Sequence, residues 1–88
     1  MIRRRLLVSG DVQGVFYRDT CRSVAEEAGV TGTAANLPDG RVEVILEGEA
    51  EAVEKVIDWC RRGTSQSRVQ AVDITDEEPA GERYFRVL

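Results

Sequence analysis

The sequence predicts an α+β fold in which two helices cover one face of an antiparallel sheet. Apolar residues alternate with polar ones in several short segments, which is the period of a β-strand. In two longer segments they recur at every third or fourth position, which is the period of an amphipathic helix. The segments follow one another in the order β-α-β-β-α-β, and a short additional strand fits at the carboxyl end.

The first strand and the first helix account for residues 2–28. Ile2, Leu6 and Val8 share one face of a strand that runs from residue 2 to residue 10 and ends at a glycine-containing loop. The helix that follows has an apolar face of four residues at spacings of three and four: Cys21, Val24, Ala25 and Ala28. Gly29 is well placed to end this helix.

A hairpin is predicted to join the next two strands. The first of them extends from about Thr31 to Asn36, and the second alternates apolar and polar residues from Val42 to Leu46. Between them, residues 37–40 read Leu-Pro-Asp-Gly. Proline presets φ for a turn, aspartate accepts local hydrogen bonds and glycine takes the left-handed conformation, so this segment is predicted to be a tight turn.

The second helix is predicted to begin near Glu49 and to end at Gly63. Acidic residues come first and arginines last, as the helix dipole favours, and the apolar face consists of Val53, Val56, Ile57 and Cys60. Residues 69–75 and 83–88 then read as two strands separated by a turn. Two β-α-β units joined by a hairpin are typical of the ferredoxin-like sandwich, so we expect residues 1–88 to form a single domain of this class.

Composition argues against several classes of protein. The chain has 12 basic and 16 acidic residues, a net charge of −4, so a nucleic-acid partner is not expected. The only run of three basic residues fits a strand that places Arg3 and Arg5 on the solvated sheet face left open by the helices. No apolar stretch approaches the ~20 residues of a membrane span, and the N-terminal stretch is too short for a secretion signal. We therefore expect a cytoplasmic protein without a membrane partner, and we expect it to be a monomer.

The absence of histidine limits the possible chemistry. Ser-His and Cys-His nucleophile pairs and His-ligated zinc are excluded, so arginine, asparagine, carboxylates, hydroxyls and backbone dipoles must supply any catalysis. We expect neither a metal nor a cofactor. Cys21 and Cys60 are predicted on the core faces of the two helices, where a pair of buried thiols is the expected state and a disulfide is the alternative.

The loop between the first strand and the first helix has the clearest chemical character. It reads Ser9-Gly10-Asp11-Val12-Gln13-Gly14-Val15-Phe16-Tyr17-Arg18. A glycine-containing turn before a helix directs backbone N–H groups into one concavity at the positive end of the helix dipole, which suits a phosphate. Arg18 could grip two phosphate oxygens with its planar guanidinium. Taken alone, this pattern also occurs in turns that bind nothing.

Two sets of residues at fixed spacing strengthen this interpretation. The first consists of Gly10, Val12, Gln13, Gly14, Val15 and Arg18, and the second of Gly32, Asn36, Gly40, Val42 and Gly48. They resemble the two signatures of the acylphosphatases, small enzymes that hydrolyse the carboxyl-phosphate bond of acyl phosphates, and the resemblance covers nearly the whole chain. It departs at Thr33, where the family usually has an aromatic residue. We expect this departure to affect local packing and substrate range rather than the chemistry.

The resemblance implies roles for these residues and a small acyl phosphate as the substrate. Arg18 would bind the phosphoryl group together with the backbone amides of Gln13, Gly14, Val15, Phe16, Tyr17 and Arg18. Asn36 would orient the attacking water through its side-chain amide. The leaving carboxylate has a conjugate acid of pKa ~4 and needs no general acid, and the substrate's own phosphate could take the proton of the water. Gln13 could instead only pin the loop, and Phe16 and Tyr17 are expected to be core or rim residues, with direct stacking on the substrate as the less favoured alternative.

Three other functions are open from the sequence. A ferredoxin-like module could bind a small anion or a protein without catalysis, although it would have no use for Asn36. The chain could be related to the acylphosphatase-like domain of larger carbamoyl-transfer maturation proteins, which a length of 88 residues disfavours. An RNA-binding module of this fold would need exposed aromatic residues on its central strands, and none of the five aromatic residues lies in the predicted first or third strand.

Overall fold

The computed structural model describes residues 1–88 and contains every predicted element, including the short additional strand. In chain order the elements are β1 (Ile2–Asp11), α1 (Tyr17–Ala28), β2 (Thr31–Asn36), β3 (Val42–Gly48), α2 (Ala50–Arg62), β4 (Arg68–Glu77) and β5 (Phe85–Val87). Gly29 and Gly63 follow the two helices, as predicted. Neither helix is long and apolar enough to cross a membrane.

The five strands form one sheet in the order β4-β1-β3-β2-β5. Strands β1 to β4 pair with antiparallel neighbours, as predicted. The prediction of an antiparallel sheet is wrong for β5, which pairs in parallel with β2 and aligns Gly32 with Phe85 and Ala34 with Val87. The path of the chain explains this difference. Residues 78–84 cross from one edge of the sheet to the other and reverse the direction of the chain. Strand β5 therefore runs opposite to β4 and in the same direction as β2.

The face of the sheet that carries both helices holds the core. Alternate residues of the three central strands point towards it and are fully buried: Leu6, Val8, Ala34, Val42, Val44 and Leu46. The helices add the residues that the sequence predicted for their apolar faces, among them Cys21, Ala25, Val53, Val56, Ile57 and Cys60. The ferredoxin-like α+β arrangement, with both helices on one side, is therefore confirmed.

Two aromatic rings and two thiols fill the space between the helices. The ring centroids of Tyr17 and Trp59 are 5.0 Å apart, and the Tyr17 hydroxyl donates a hydrogen bond of 2.7 Å to the carbonyl of Cys60. Cys21 and Cys60 are buried free thiols, as expected. The neighbouring Cys60 thiol, together with burial, raises the pKa of Cys21 well above its ordinary value. These contacts fix the first turn of α1 against α2.

The sheet face opposite the helices is partly covered, whereas the sequence predicts an open face. Residues 78–84 lie against this face and are held by Glu47, which is only 1% exposed. Its carboxylate accepts hydrogen bonds from the backbone N–H groups of Ala80, Gly81 and Glu82 at 2.9, 2.7 and 3.1 Å. A buried carboxylate needs such donors, so Glu47 holds this segment in one conformation.

Arg3 completes the cluster around Glu47 instead of facing solvent. Its Nη1 atom lies 3.1 Å from Glu47 and 3.2 Å from Glu82, and its Nε atom lies 2.9 Å from Glu77. Burial alone would raise the pKa of Glu47, but the three N–H donors and the Arg3 guanidinium outweigh it and hold that pKa below its ordinary value of 4.5. The cluster therefore ties the crossing segment to the start of β1.

Replacing Glu47 with glutamine should lower the free energy of unfolding by about 2 kcal/mol, because the amide loses the charge-assisted hydrogen bonds. A carboxyl whose pKa is depressed by folding contributes its full stability above its ordinary pKa and loses it as the pH falls through the lowered value. The deficit of Glu47→Gln should therefore be constant between about pH 7 and pH 5 and shrink below about pH 4.

Urea unfolding of both proteins across this pH range measures the effect. The matched control is Glu43→Gln, because Glu43 lies on the same strand but contacts only the partly exposed Arg5. We expect the control to lose less than about 1 kcal/mol. A Glu47→Gln deficit that stayed unchanged in acid would contradict this role for the carboxylate.

Candidate phosphate-binding site

The loop of residues 12–16 joins β1 to α1 and has a buried anchor at each side. Val12 and Tyr17 are each 1% exposed, whereas the residues between them are mostly exposed. Gly14 and Phe16 have positive φ values of 74° and 62°. The backbone thus turns out of the core and returns within a few residues, which glycine permits at position 14 without steric cost.

The backbone N–H groups of residues 13–19 donate no hydrogen bond within the protein. The carbonyl groups of the same segment are partly engaged: Val15 accepts a hydrogen bond of 2.9 Å from Thr64 Oγ1, and Phe16 accepts one of 3.1 Å from the backbone N–H of Thr20. Unpaired N–H groups at the beginning of a helix carry partial positive charge. The segment is therefore suited to bind an anion.

Arg18 is the second residue of α1 and is half-buried. Its Nη1 atom donates a hydrogen bond of 2.5 Å to the backbone oxygen of Leu88, and its other donors have no partner within the protein. Arg18 also lines a cavity of about 190 Å³, together with Val12, Gly14, Phe16, Tyr17 and Asp19. The guanidinium can therefore contact an anion in this cavity while its bond to Leu88 limits its movement.

Asn36 ends β2 at the same end of the sheet as the loop. It pairs with Val42 of β3, which pairs with Val8 of β1, so the three residues form one row across the sheet. Val8 and Val42 point into the core, and Asn36 lies on the same face but is exposed. Because β3 separates β1 from β2, the backbones of the two outer strands in this row are about 10 Å apart.

Leu88 connects Arg18 with the strand that carries Asn36. Its backbone N–H donates a hydrogen bond of 2.9 Å to the carbonyl of Ala34, while its own backbone oxygen accepts one from Arg18. Val87 pairs with Ala34, so the next residue of the chain lies beside the end of β2. The structure thus brings Arg18 and Asn36 to one end of the molecule.

The side chain of Gln13 ties the loop to the turn between β2 and β3. Its Nε2 atom donates hydrogen bonds to the carbonyl groups of Leu37 at 2.9 Å and Arg41 at 3.0 Å. Asp39 closes the turn by accepting a hydrogen bond from the Arg41 backbone N–H, which is the main cause of its lowered pKa. The Gln13 side chain therefore pins the loop, and its backbone N–H is the group left for a ligand.

The two aromatic residues of the loop have different surroundings. Tyr17 is a core residue packed on Trp59, and only its backbone N–H is available to the cavity. Phe16 is a rim residue, 68% exposed. Both positions fall within the core-or-rim alternative that the sequence left open.

Thr64 is the residue of the site that sequence reasoning missed. It follows α2 and holds the Val15 carbonyl across 49 residues of sequence. Gly63 before it is closely packed, since a Cβ atom there would lie 2.2 Å from Ser67 Oγ and 3.3 Å from the Tyr17 ring. No local sequence pattern indicates that a threonine binds a carbonyl so distant in sequence. The neighbouring Gly63 indicates only that the connection between α2 and β4 is closely packed.

Comparison with known proteins agrees with this architecture. The family model described as Acylphosphatase matches residues 4–87. The acylphosphatase of Rubrobacter xylanophilus is 53% identical over 97% of this chain and 78% of its own length, and that of Roseiflexus sp. is 50% identical over 100% and 96%. The crystal structure of acylphosphatase from Bacillus subtilis superimposes with a TM-score of 0.96 at 29% identity and covers 100% of this chain and 99% of its own. A family match over almost the entire chain and close relatives of similar length lead to one conclusion: this chain belongs to the acylphosphatase family.

Proposed function

We propose that this enzyme hydrolyses the carboxyl-phosphate bond of small acyl phosphates and releases a carboxylate and inorganic phosphate. The observation that carries the proposal is the run of unpaired backbone N–H groups from residue 13 to residue 19, which borders the same cavity as Arg18. Such a run is an anion site that discriminates by size and charge. Membership of the family indicates which phosphorylated compound fills it.

The phosphoryl group is bound by the loop and Arg18 together. The N–H groups of residues 13–18 supply neutral donors from several directions, and the Arg18 guanidinium supplies charge and a planar pair of donors. Its bond to Leu88 orients the guanidinium before the substrate arrives, so less side-chain freedom is lost on binding. In the reaction these donors stabilise the charge on the equatorial phosphoryl oxygens.

Asn36 orients the attacking water through its side-chain amide, which can both donate and accept hydrogen bonds. The position of Asn36 supports this role, because it is exposed on the helix-bearing face beside Leu88, the residue that Arg18 contacts. A water held there is positioned by β2, whereas the phosphoryl group is bound by the loop and the start of α1. This separation lets the loop bind phosphate and Asn36 place the nucleophile independently of each other.

The chemical step requires no further side chain. The water oxygen forms a bond to phosphorus as the bond between phosphorus and the carboxylate oxygen breaks. The electron pair of the breaking bond leaves with the carboxylate. One proton of the water passes to a phosphoryl oxygen of the substrate itself. The leaving carboxylate is the conjugate base of an acid of pKa ~4, so no general acid is needed, which is compatible with a chain that contains no histidine.

The first test compares the parent enzyme with Arg18→Ala on benzoyl phosphate and acetyl phosphate. We expect kcat/KM to fall by about 100-fold to 1,000-fold, as for the loss of one main donor to a transition-state oxyanion. Arg18→Lys should restore only part of this, because a single ammonium cannot form the planar pair of bonds. Arg22→Ala, which removes an exposed arginine one turn further along α1, is the matched control and should hydrolyse at the parent rate. A parent rate no higher than that of Arg18→Ala would favour a non-catalytic anion-binding module.

The second test separates water placement from phosphate binding. Asn36→Ala should bind inorganic phosphate with the parent affinity, measured by calorimetry, while kcat falls on the order of 100-fold because the nucleophile is no longer oriented. Asn36→Asp should also be slow, since the added negative charge opposes the phosphoryl group. Parent-like turnover by Asn36→Ala would contradict the role of Asn36.

The third test concerns the pinning of the loop by Gln13. Gln13→Ala removes two hydrogen bonds to the β2–β3 turn, and we expect kcat/KM to fall roughly tenfold as the loop loses its fixed position. Gln70→Ala is the control, because Gln70 is exposed on β4 and forms no part of the site. If Gln13→Ala matched this control in activity, the side-chain contacts would be dispensable for the loop geometry.

A further inference from the structure

Phe16 breaks three local rules of protein structure at once. Its aromatic side chain is 68% exposed, although a phenylalanine gains stability only by leaving water. It is the only residue other than glycine with a positive φ, at φ 62° and ψ 20°, a conformation in which glycine or asparagine is far less strained. It also occupies the N-cap position of α1 without a side-chain hydrogen bond to the helix, a position at which serine, threonine, aspartate and asparagine are preferred.

Folding does not account for this combination. An asparagine at position 16 would adopt the left-handed backbone conformation with less strain and would expose no aromatic ring to water. Backbone strain of this kind is found mainly at functional sites, and residues that violate several local preferences are expected there. Among the exposed large apolar residues, which are Met1, Phe16, Tyr84 and Leu88, only Phe16 lines the cavity that contains Arg18.

Phe16 lies where the acyl group of the substrate is expected, which is the part that the phosphate donors do not bind. The acyl group is joined to the phosphoryl group through a single oxygen, so it must lie at the mouth of the same cavity. The two charged residues that line this cavity are Arg18, which is occupied by the phosphoryl group, and the exposed Asp19. Asp19 would repel a second carboxylate on the substrate, whereas the Phe16 ring offers a flat apolar surface.

We infer that Phe16 determines specificity for the acyl group and that its ring selects acyl phosphates with an uncharged, apolar and preferably aromatic acyl group. The inference rests on the proposed function, since it concerns the other half of the same substrate. The positive φ of residue 16 holds the side chain out of the core at the rim of the cavity, where it can stack on the acyl group. The exposed ring and the positive φ both cost stability, so packing alone does not explain a phenylalanine at this position.

The test is the ratio of kcat/KM for benzoyl phosphate to kcat/KM for acetyl phosphate. In Phe16→Asn this ratio should fall on the order of tenfold, as expected for loss of contact with one face of a ring, while the melting temperature stays at the parent value or rises. Phe16→Gly should give the same result, which guards against an effect peculiar to asparagine. Phe16→Leu, which keeps an apolar side chain, should retain part of the preference.

Tyr84→Asn is the matched control, because Tyr84 is a 72% exposed aromatic residue that does not line this cavity. Its ratio should equal that of the parent. An unchanged ratio in both Phe16→Asn and Phe16→Gly, or an equal fall in Tyr84→Asn, would overturn the inference while leaving the proposed function intact. A parent enzyme that hydrolysed neither substrate would instead overturn the proposed function, and the inference with it.

Discussion

Unpaired backbone N–H groups are stable in a folded protein only where water or a ligand can reach them, and the rest of this structure depends on meeting that constraint at residues 13–19. Val12 and Tyr17 are buried on either side and force the segment between them outward. Thr64 donates a hydrogen bond to the carbonyl of Val15 and so ties the loop to the end of α2. The proposed anion site is therefore a property of the main chain, and only a few side chains are needed to complete it.

Those few side chains are held by elements that are distant in sequence. Gln13 reaches the turn that follows β2, and Arg18 reaches the residue that follows β5. The first contact fixes the loop, and the second fixes the start of α1, relative to the end of the sheet where Asn36 lies. A site of this kind needs no cleft between domains, because one sheet end and one helix start supply all of its surfaces.

Much of this organisation was predictable because it follows from short-range patterns. Hydrophobic periodicity and turn residues predicted the order of helices and strands, whereas the anion site that the glycine-containing loop indicates stays a prediction. The parallel direction of β5 was not predictable, because it follows from the path of residues 78–84, which the buried Glu47 holds through contacts to their backbone. The Thr64 contact and the backbone conformation of Phe16 were missed for the same reason. Both depend on tertiary packing and leave no local pattern in the sequence.

The attachment of Arg18 to the end of β5 has a consequence for the working range of the enzyme. Strand β5 has three residues, lies at an edge of the sheet and pairs only with β2. Short edge elements open by local fluctuation at a much lower free energy than the core. Each opening would release the guanidinium from its anchor while the loop, the helices and the central strands remained folded. If Arg18 acts as proposed, the temperature at which its guanidinium is no longer preorganised would be set by this edge strand and would lie below the melting temperature of the whole protein.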